Sequence, residues 1–154
     1  MKTNKRRNSG YTLTELMIVV MTFGLLATIA GPTWLRYFKK GQNGAFIANL
    51  RTASDAFIMY SFEHGTYPAN TTAGNTPQGM EAYLQRLAWN AETPIGGKWN
   101  WDYNVHGYKA GVAVSNPSAD IVQMSEIDAA LDDGNLGSGR FRIRPNGYVL
   151  VVEE

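Results

Sequence analysis

Residues 9–35 read SGYTLTELMIVVMTFGLLATIAGPTWL, and how this stretch is read decides the fold of the 154-residue chain. From Leu16 to Leu35 there are twenty residues without Asp, Glu, Lys, Arg or His. As a helix they would be about 30 Å long, the thickness of a bilayer core. Gly24, Gly31 and Pro32 interrupt the run, which membrane helices tolerate better than soluble ones. Three readings compete: a retained membrane anchor, a buried core helix, or a secretory signal cut before Gly31 at the small residues Thr28 and Ala30. The unbroken length without charge argues against a core helix. Glu15 argues against a secretory signal, whose apolar region should carry no acid. That glutamate also needs a reason of its own, because a carboxylate at the edge of lipid is costly unless paired.

Charge is distributed unevenly around the run. Lys2, Lys5, Arg6 and Arg7 precede it, and Arg36, Lys39 and Lys40 follow it. The heavier side of a first helix usually stays inside, so a short cytoplasmic N-terminus and an exported body are expected. From Gly41 onward seven Lys/Arg stand against twelve Asp/Glu, a net of 7 − 12 = −5. An acidic body does not suit a nucleic-acid binder, and none is expected as a partner. There is no cysteine, so disulfides, thiolate metal sites and thiol nucleophiles are excluded.

The string Gly10-Tyr11-Thr12-Leu13-Thr14-Glu15-Leu16, behind a short basic leader, resembles the prepilin processing site of type IV pilins and type II secretion pseudopilins. The resemblance implies that residues 1–10 are a leader cut after Gly10 by a prepilin peptidase, that Tyr11 becomes the N-methylated first residue, and that Glu15 is the family's hallmark acid. Phe is the commoner residue at the Tyr11 position, a ring-preserving departure. Gly24 and Pro32 fall where filament-forming members carry a glycine and a proline that let the helix partly unwind. Glu15 would then meet the new amine at Tyr11, its own or a neighbour's, lowering the cost of both charges and setting the register between subunits.

Beyond Pro32 the pattern becomes amphipathic. Phe46, Leu50, Ala53, Phe57 and Tyr60 recur at spacings of four, three, four and three, with Ile47, Ser54, Ile58 and Phe62 alongside. Gly41 and Gly44 weaken the helix locally, and Gly65 followed by Tyr67-Pro68 ends it. Gly65, Tyr67-Pro68 and Gln78-Gly79 leading into a short helix over Met80–Leu87 also resemble major pseudopilins. After Leu87 that resemblance fades, and the usual run toward the pseudopilin calcium-binding loop is not seen. Alternation of Trp99, Trp101, Tyr103 and Val105 with Asn100, Asp102 and Asn104 predicts a strand with one buried face. Tyr108–Val114 predicts a second strand across a turn at His106-Gly107. Ser125 through Leu131 reads as a short helix with a serine N-cap, closed at Gly134. Phe141, Ile143 and Tyr148–Val152 form a hairpin around Pro145-Asn146-Gly147. The expected fold is α+β: a long N-terminal helix packed on an antiparallel sheet of about four strands. Residues 11–38 form its membrane or filament-core half, and residues 39–154 an exported globular domain that includes the second half of the helix.

No nucleophile elbow, Walker A, zincin or Cys-pair motif is present, and an enzyme is not expected. No cofactor is expected either, although Asp132, Asp133 and Asn135 around Gly134 are oxygen donors in a turn and make calcium candidates. Carboxylates there face the negative end of a helix, which favours a counter-charge such as a cation or Arg140. The stripe Arg140, Arg142 and Arg144 reads as a solvated or internally paired face, and Trp99 with Trp101 as core. The leading expectation is a structural filament subunit of the inner membrane. It would pass from single-pass anchor to periplasmic or extracellular filament through a prepilin peptidase, an assembly platform and ATPase, and copies of itself or related pilins. The alternatives are a minor or tip pilin acting as a ligand-binding module, and a soluble protein cut before Gly31.

Overall fold

The computed structural model describes residues 10–154; residues 1–9, most of the 1–10 leader that the resemblance implies, lie outside the described residues. Helix α1 spans Leu13–His64, followed by β1 (Lys98–Val105), β2 (Tyr108–Ser115), α2 (Ile121–Leu131), β3 (Phe141–Arg144) and β4 (Gly147–Glu153). The chain divides between Phe38 and Lys39 into two compact units, and α1 contributes to both.

In the first unit α1 is helical through Gly24, Gly31 and Pro32. Its large apolar residues, Leu25, Leu26, Ile29, Trp34 and Leu35 among them, are all exposed. The threonines hide their hydroxyls within the helix. Thr22 Oγ1 donates to Val19 O, Thr28 Oγ1 to Leu25 O and Thr33 Oγ1 to Ile29 O, at 2.7–3.0 Å. A helix can therefore present these threonines to an apolar surrounding without unsatisfied donors.

In the second unit the expected stripe on α1 forms the core. Phe46, Leu50, Ala53 and Phe57 are fully buried. Phe46 stacks on Trp99 at 5.3 Å between ring centroids and Phe57 on Trp101 at 3.8 Å, with the rings nearly parallel. Trp101 Nε1 donates to Pro68 O and Trp89 Nε1 to Asn75 O, so the polar tips of these buried indoles are satisfied. Phe62, by contrast, is 84% exposed and leaves the adjacent stripe short of the core. The helix ends as expected: Gly65 takes φ 71° and its N–H donates to Ser61 O.

The sheet is antiparallel throughout, in the order β1-β2-β4-β3. Trp99 and Trp101 pair with Val114 and Val112, so one face of β1 and β2 meets α1 as a single apolar surface. Two-residue turns join the hairpins. His106-Gly107, both at positive φ, matches the right-handed twist of the strands it connects, and Asn146 takes φ 63° in the β3–β4 turn.

Three expectations are corrected. Residues 80–87 form successive turns rather than a helix, held by bonds such as Tyr83 N–H to Met80 O and Leu87 N–H to Leu84 O. Helix α2 starts at Ile121, four residues before Ser125, because Asp120 Oδ1 caps it by accepting from Gln123 N–H at 2.8 Å. The outer face of β1 is not a solvated polar face: Asn100 and Asp102 are both buried. There Tyr108 packs with Ala113, Val149 and Val151 in a second small cluster. Its ring lies over Gly111, where an added Cβ would fall 3.0 Å from Tyr108 Cε2.

Candidate functional site

The processing string lies at the start of α1. Gly10 precedes the helix with no heavy atom within 4 Å of a Cβ built on it, and Tyr11 is 87% exposed. The Gly10–Tyr11 peptide bond is therefore outside regular structure and open to approach. Two residues on, the helix is closed by a capping box, Thr12-Leu13-Thr14-Glu15. Glu15 Oε2 accepts from Thr12 N–H and from Thr12 Oγ1, both at 2.8 Å, and Glu15 N–H donates to Thr12 Oγ1 at 3.3 Å. Sequence reasoning treated Glu15 as an acid in search of a partner and overlooked this role, although Thr followed three residues later by Glu is its signature. As an isolated unit, then, Glu15 already has donors. Gly24 and Pro32 both lie inside α1.

In the second unit the three arginines expected as one stripe are each occupied differently. Arg140 Nε donates to Val151 O at 3.2 Å. Arg142 makes a two-pronged pair with Glu154 at 3.1 Å and lies 5.7 Å over the Tyr108 ring. Arg144 is buried, its Nε 3.2 Å from Asp102 Oδ2, close enough for an ion pair though not aligned as a hydrogen bond. Its Nη2 donates to Ser115 Oγ at 2.6 Å. Asp102 also accepts from Tyr108 Oη and Asn100 Nδ2, each at 2.7 Å. Burial, and then the bond to Asp102, push the Tyr108 phenol well above its ordinary range. This network holds charge out of solvent and reads as structural. The histidines stand apart: His64 stacks on Tyr60 at the end of α1 and His106 sits in the β1–β2 turn.

Of the calcium candidates, Asp132 and Asp133 lie together at the end of α2, joined by Asp128, which the sequence did not single out. One carboxylate oxygen from each falls within 4.8 Å of the others. Asn135 is engaged elsewhere: its Oδ1 accepts from Gly137 N–H and its N–H donates to Asp133 Oδ1. Arg140 reaches Asp132 through its backbone N–H and not its guanidinium. Burial raises the pKa of Asp128, and the neighbouring Asp133 and Asp132 carboxylates raise it further. The residue sits four before Asp132 on a helix, a spacing that could have flagged it.

Comparison with known proteins bears out the resemblance. The chain is 29% identical over 82 residues to a type II secretion system core protein G of Aeromonas hydrophila, 53% of each chain. It is 36% identical over 72 residues to a fimbrial protein of Neisseria meningitidis serogroup A, 47% of this chain and 42% of that one. It is 37% identical over 65 residues to a type IV major pilin protein of Neisseria gonorrhoeae, 42% and 30% of the two chains. The match thus spans about half the length of the first of these three relatives and less of the other two. No family model matches it, and no solved structure does.

Proposed function

We propose that the chain is a structural subunit of a type IV pilus-like or type II secretion pseudopilus filament. It is made as a single-pass prepilin with a cytoplasmic N-terminus, cut after Gly10 by a prepilin peptidase and N-methylated at Tyr11. An assembly platform and ATPase then extract it into a filament of its own copies or related pilins. The observation that carries this reading is the order of features at the N-terminus. An exposed Gly10-Tyr11 bond stands two residues before a helix whose large apolar side chains from Leu13 to Phe38 are exposed, with a single acid at its first turn. The relatives with pilin and secretion-system names support it. In the filament, Gly24 and Pro32 give the helix room to unwind, since the proline has no N–H to continue the ladder.

The capping box sharpens the role of Glu15. After cleavage the new amine is on Tyr11, one residue from Thr12, whose N–H the same carboxylate already accepts. Capping and charge pairing can be separated. Glu15→Gln keeps an oxygen for the Thr12 bonds but loses the charge, whereas Thr12→Ala breaks the box and keeps the charge. Pairing predicts that Glu15→Gln is processed but poorly assembled and that Thr12→Ala assembles. The reverse outcome assigns Glu15 to the cap alone. The decisive test of the function is the N-terminus and intact mass of the protein from its native membrane. N-methylated Tyr11 is expected; a start at Gly31 would make it a secreted soluble protein, and a start at Met1 a simple anchor.

A further inference from the structure

The first turn of α2 carries two apolar side chains that the body of the protein leaves uncovered. Ile121 and Val122 are 64% and 66% exposed, while Met124 and Ile127 of the same helix are buried. The inner face of α2 is thus filled without them. Both are β-branched, and in an exposed helical turn such residues are less favourable than alanine. Single exposed apolar residues are ordinary; this pair stands out by where it is held. Asp120, just before it, meets Lys39 Nζ at 2.7 Å. Gln123, just after it, donates through Nε2 to Asn43 Oδ1 at 2.8 Å, and both of these side chains are buried. The pair is therefore fixed at the end of the second unit where the apolar segment joins it. Trp34 and Tyr37, exposed near the end of that segment, are of the types that collect at the headgroup level of a membrane. Lys39 follows Tyr37 by two residues, so at most about 7 Å of chain separates them.

We propose that Ile121 and Val122 enter the interfacial layer of the membrane while the protein is anchored, so that α2 seats the body on the bilayer. This inference rests on reading the first unit as a membrane span. Charge selects lipid over a protein partner as the occupant. No Asp or Glu lies between Glu15 and Asp55. Arg36, Lys39 and Lys40 outnumber Asp120 and Glu126, the acids that α2 and its cap bring to this end. Lys39 is used by Asp120, but Arg36 and Lys40 are exposed and form no ion pair among the described residues. Two unpaired cations within three residues of Lys39 suit an anionic lipid surface, where apolar burial and electrostatic attraction add. At Lys39 itself, Gln42, Ser118, Asp120 and Gln123 line with it a cleft of about 200 Å³, polar as the headgroup layer requires.

The chain has no cysteine, so Val122→Cys, Leu26→Cys and Ile143→Cys each give one site for a nitroxide label, all at exposed positions. The full-length variants are placed one copy per nanodisc of phosphatidylglycerol and phosphatidylcholine. Relaxation of the label by dissolved oxygen, which concentrates in lipid, is compared with relaxation by a water-soluble nickel chelate. The label at 122 should sit at the boundary of headgroups and acyl chains and relax faster with oxygen, as the label at 26 should. The order should reverse at 143, an exposed apolar position on β3. In discs of phosphatidylcholine alone, chelate access at 122 should rise, because the basic residues lose their counter-charges. If 26 reports lipid while 122 is as aqueous as 143, the seating of α2 is wrong and the membrane span stands. If 26 is aqueous too, the span falls and the seating with it. Low access of both probes at 122 marks a protein contact and overturns the choice of lipid.

Discussion

The two units treat polarity in opposite ways. Residues 13–38 leave leucine, isoleucine, phenylalanine and tryptophan side chains uncovered along the helix, while residues 39–154 bury even Asp102, Asp128 and Arg144. Hydrophobic character alone therefore does not say where the core is. In the second unit a residue's burial follows from its neighbours within the chain, and the apolar stripe of α1 is matched ring for ring by β1. Among the described residues of the first unit nothing covers the helix, so packing by those residues does not stabilise it. In the function proposed here, lipid or the other helices of a filament would cover it. The internal bonds of Thr22, Thr28 and Thr33 fit such a surrounding, where water is not available to take a hydroxyl proton.

The contrast is broken most directly by making one kind of deletion in both halves of α1. Phe57→Ala removes a ring stacked on Trp101 at the centre of the core and should cost about 3–5 kcal/mol, read as a large fall in the melting temperature of the 39–154 unit. Leu26→Ala removes an exposed side chain and should leave that melt unchanged. Equal losses from both would mean that Leu26 is not exposed in the folded protein.

The buried charges offer the next largest effect. Asp102→Ala leaves the Arg144 guanidinium out of water with only Ser115 Oγ and Pro145 O beside it, and should cost about 3 kcal/mol. Changing the pair together, Asp102→Leu with Arg144→Met, should recover much of that loss, because an apolar pair needs no compensation. Denaturant titration of the single and double variants measures the coupling. If the single change is silent, this face of the sheet is wetter than its burial indicates. A comparable charge placed in the first unit tests the other side of the contrast. Leu26→Lys should weaken membrane insertion by about 3–4 kcal/mol, seen as protein lost from the membrane fraction.

How much of this was legible follows the same division. The 4-3-4-3 spacing from Phe46 to Tyr60, the Trp99–Val105 alternation and the His106-Gly107 turn each have one dominant local cause, and the structure follows them. Where two causes competed, the sequence misled. Met80–Leu87 has helical composition, but Gly79 at φ 86° and the bonds Met80 N–H to Pro77 O and Leu87 N–H to Leu84 O close turns instead. Ser125 carries a capping side chain, but Asp120, five residues earlier, caps α2 by accepting from Gln123 N–H. Asn100 and Asp102 alternate as solvent-facing residues should; their burial depends on Tyr108 and Arg144, from two other strands, which no local pattern reveals. The candidate sites divide likewise. Gly10, Tyr11 and Glu15 form one contiguous string, so they were found together. Asp128 was missed because its importance depends on being buried.

The smallest expected effect concerns the first residue of the second unit. Lys39 Nζ lies 2.7 Å from Asp120 Oδ2, joining α1 to the cap of α2. This bond, followed by the one from Gln123 N–H, lowers the Asp120 pKa below its ordinary value. A carboxyl whose pKa is lower folded than unfolded contributes stability above its unfolded value, near 3.9, and loses that contribution as pH falls through the folded one. The pair's contribution should therefore be constant from about pH 5 to 8 and be lost on the acid limb. Both side chains are about half exposed, so salt should screen most of the contribution. Melting curves of wild type and Lys39→Met across the acid range, in low and high salt, test it. The two proteins should differ slightly above pH 5, converge as Asp120 protonates, and differ less still in high salt. A difference that survives both acid and salt would mean that Lys39 acts through its alkyl stem, packing as the residues of this unit do, and not through its charge.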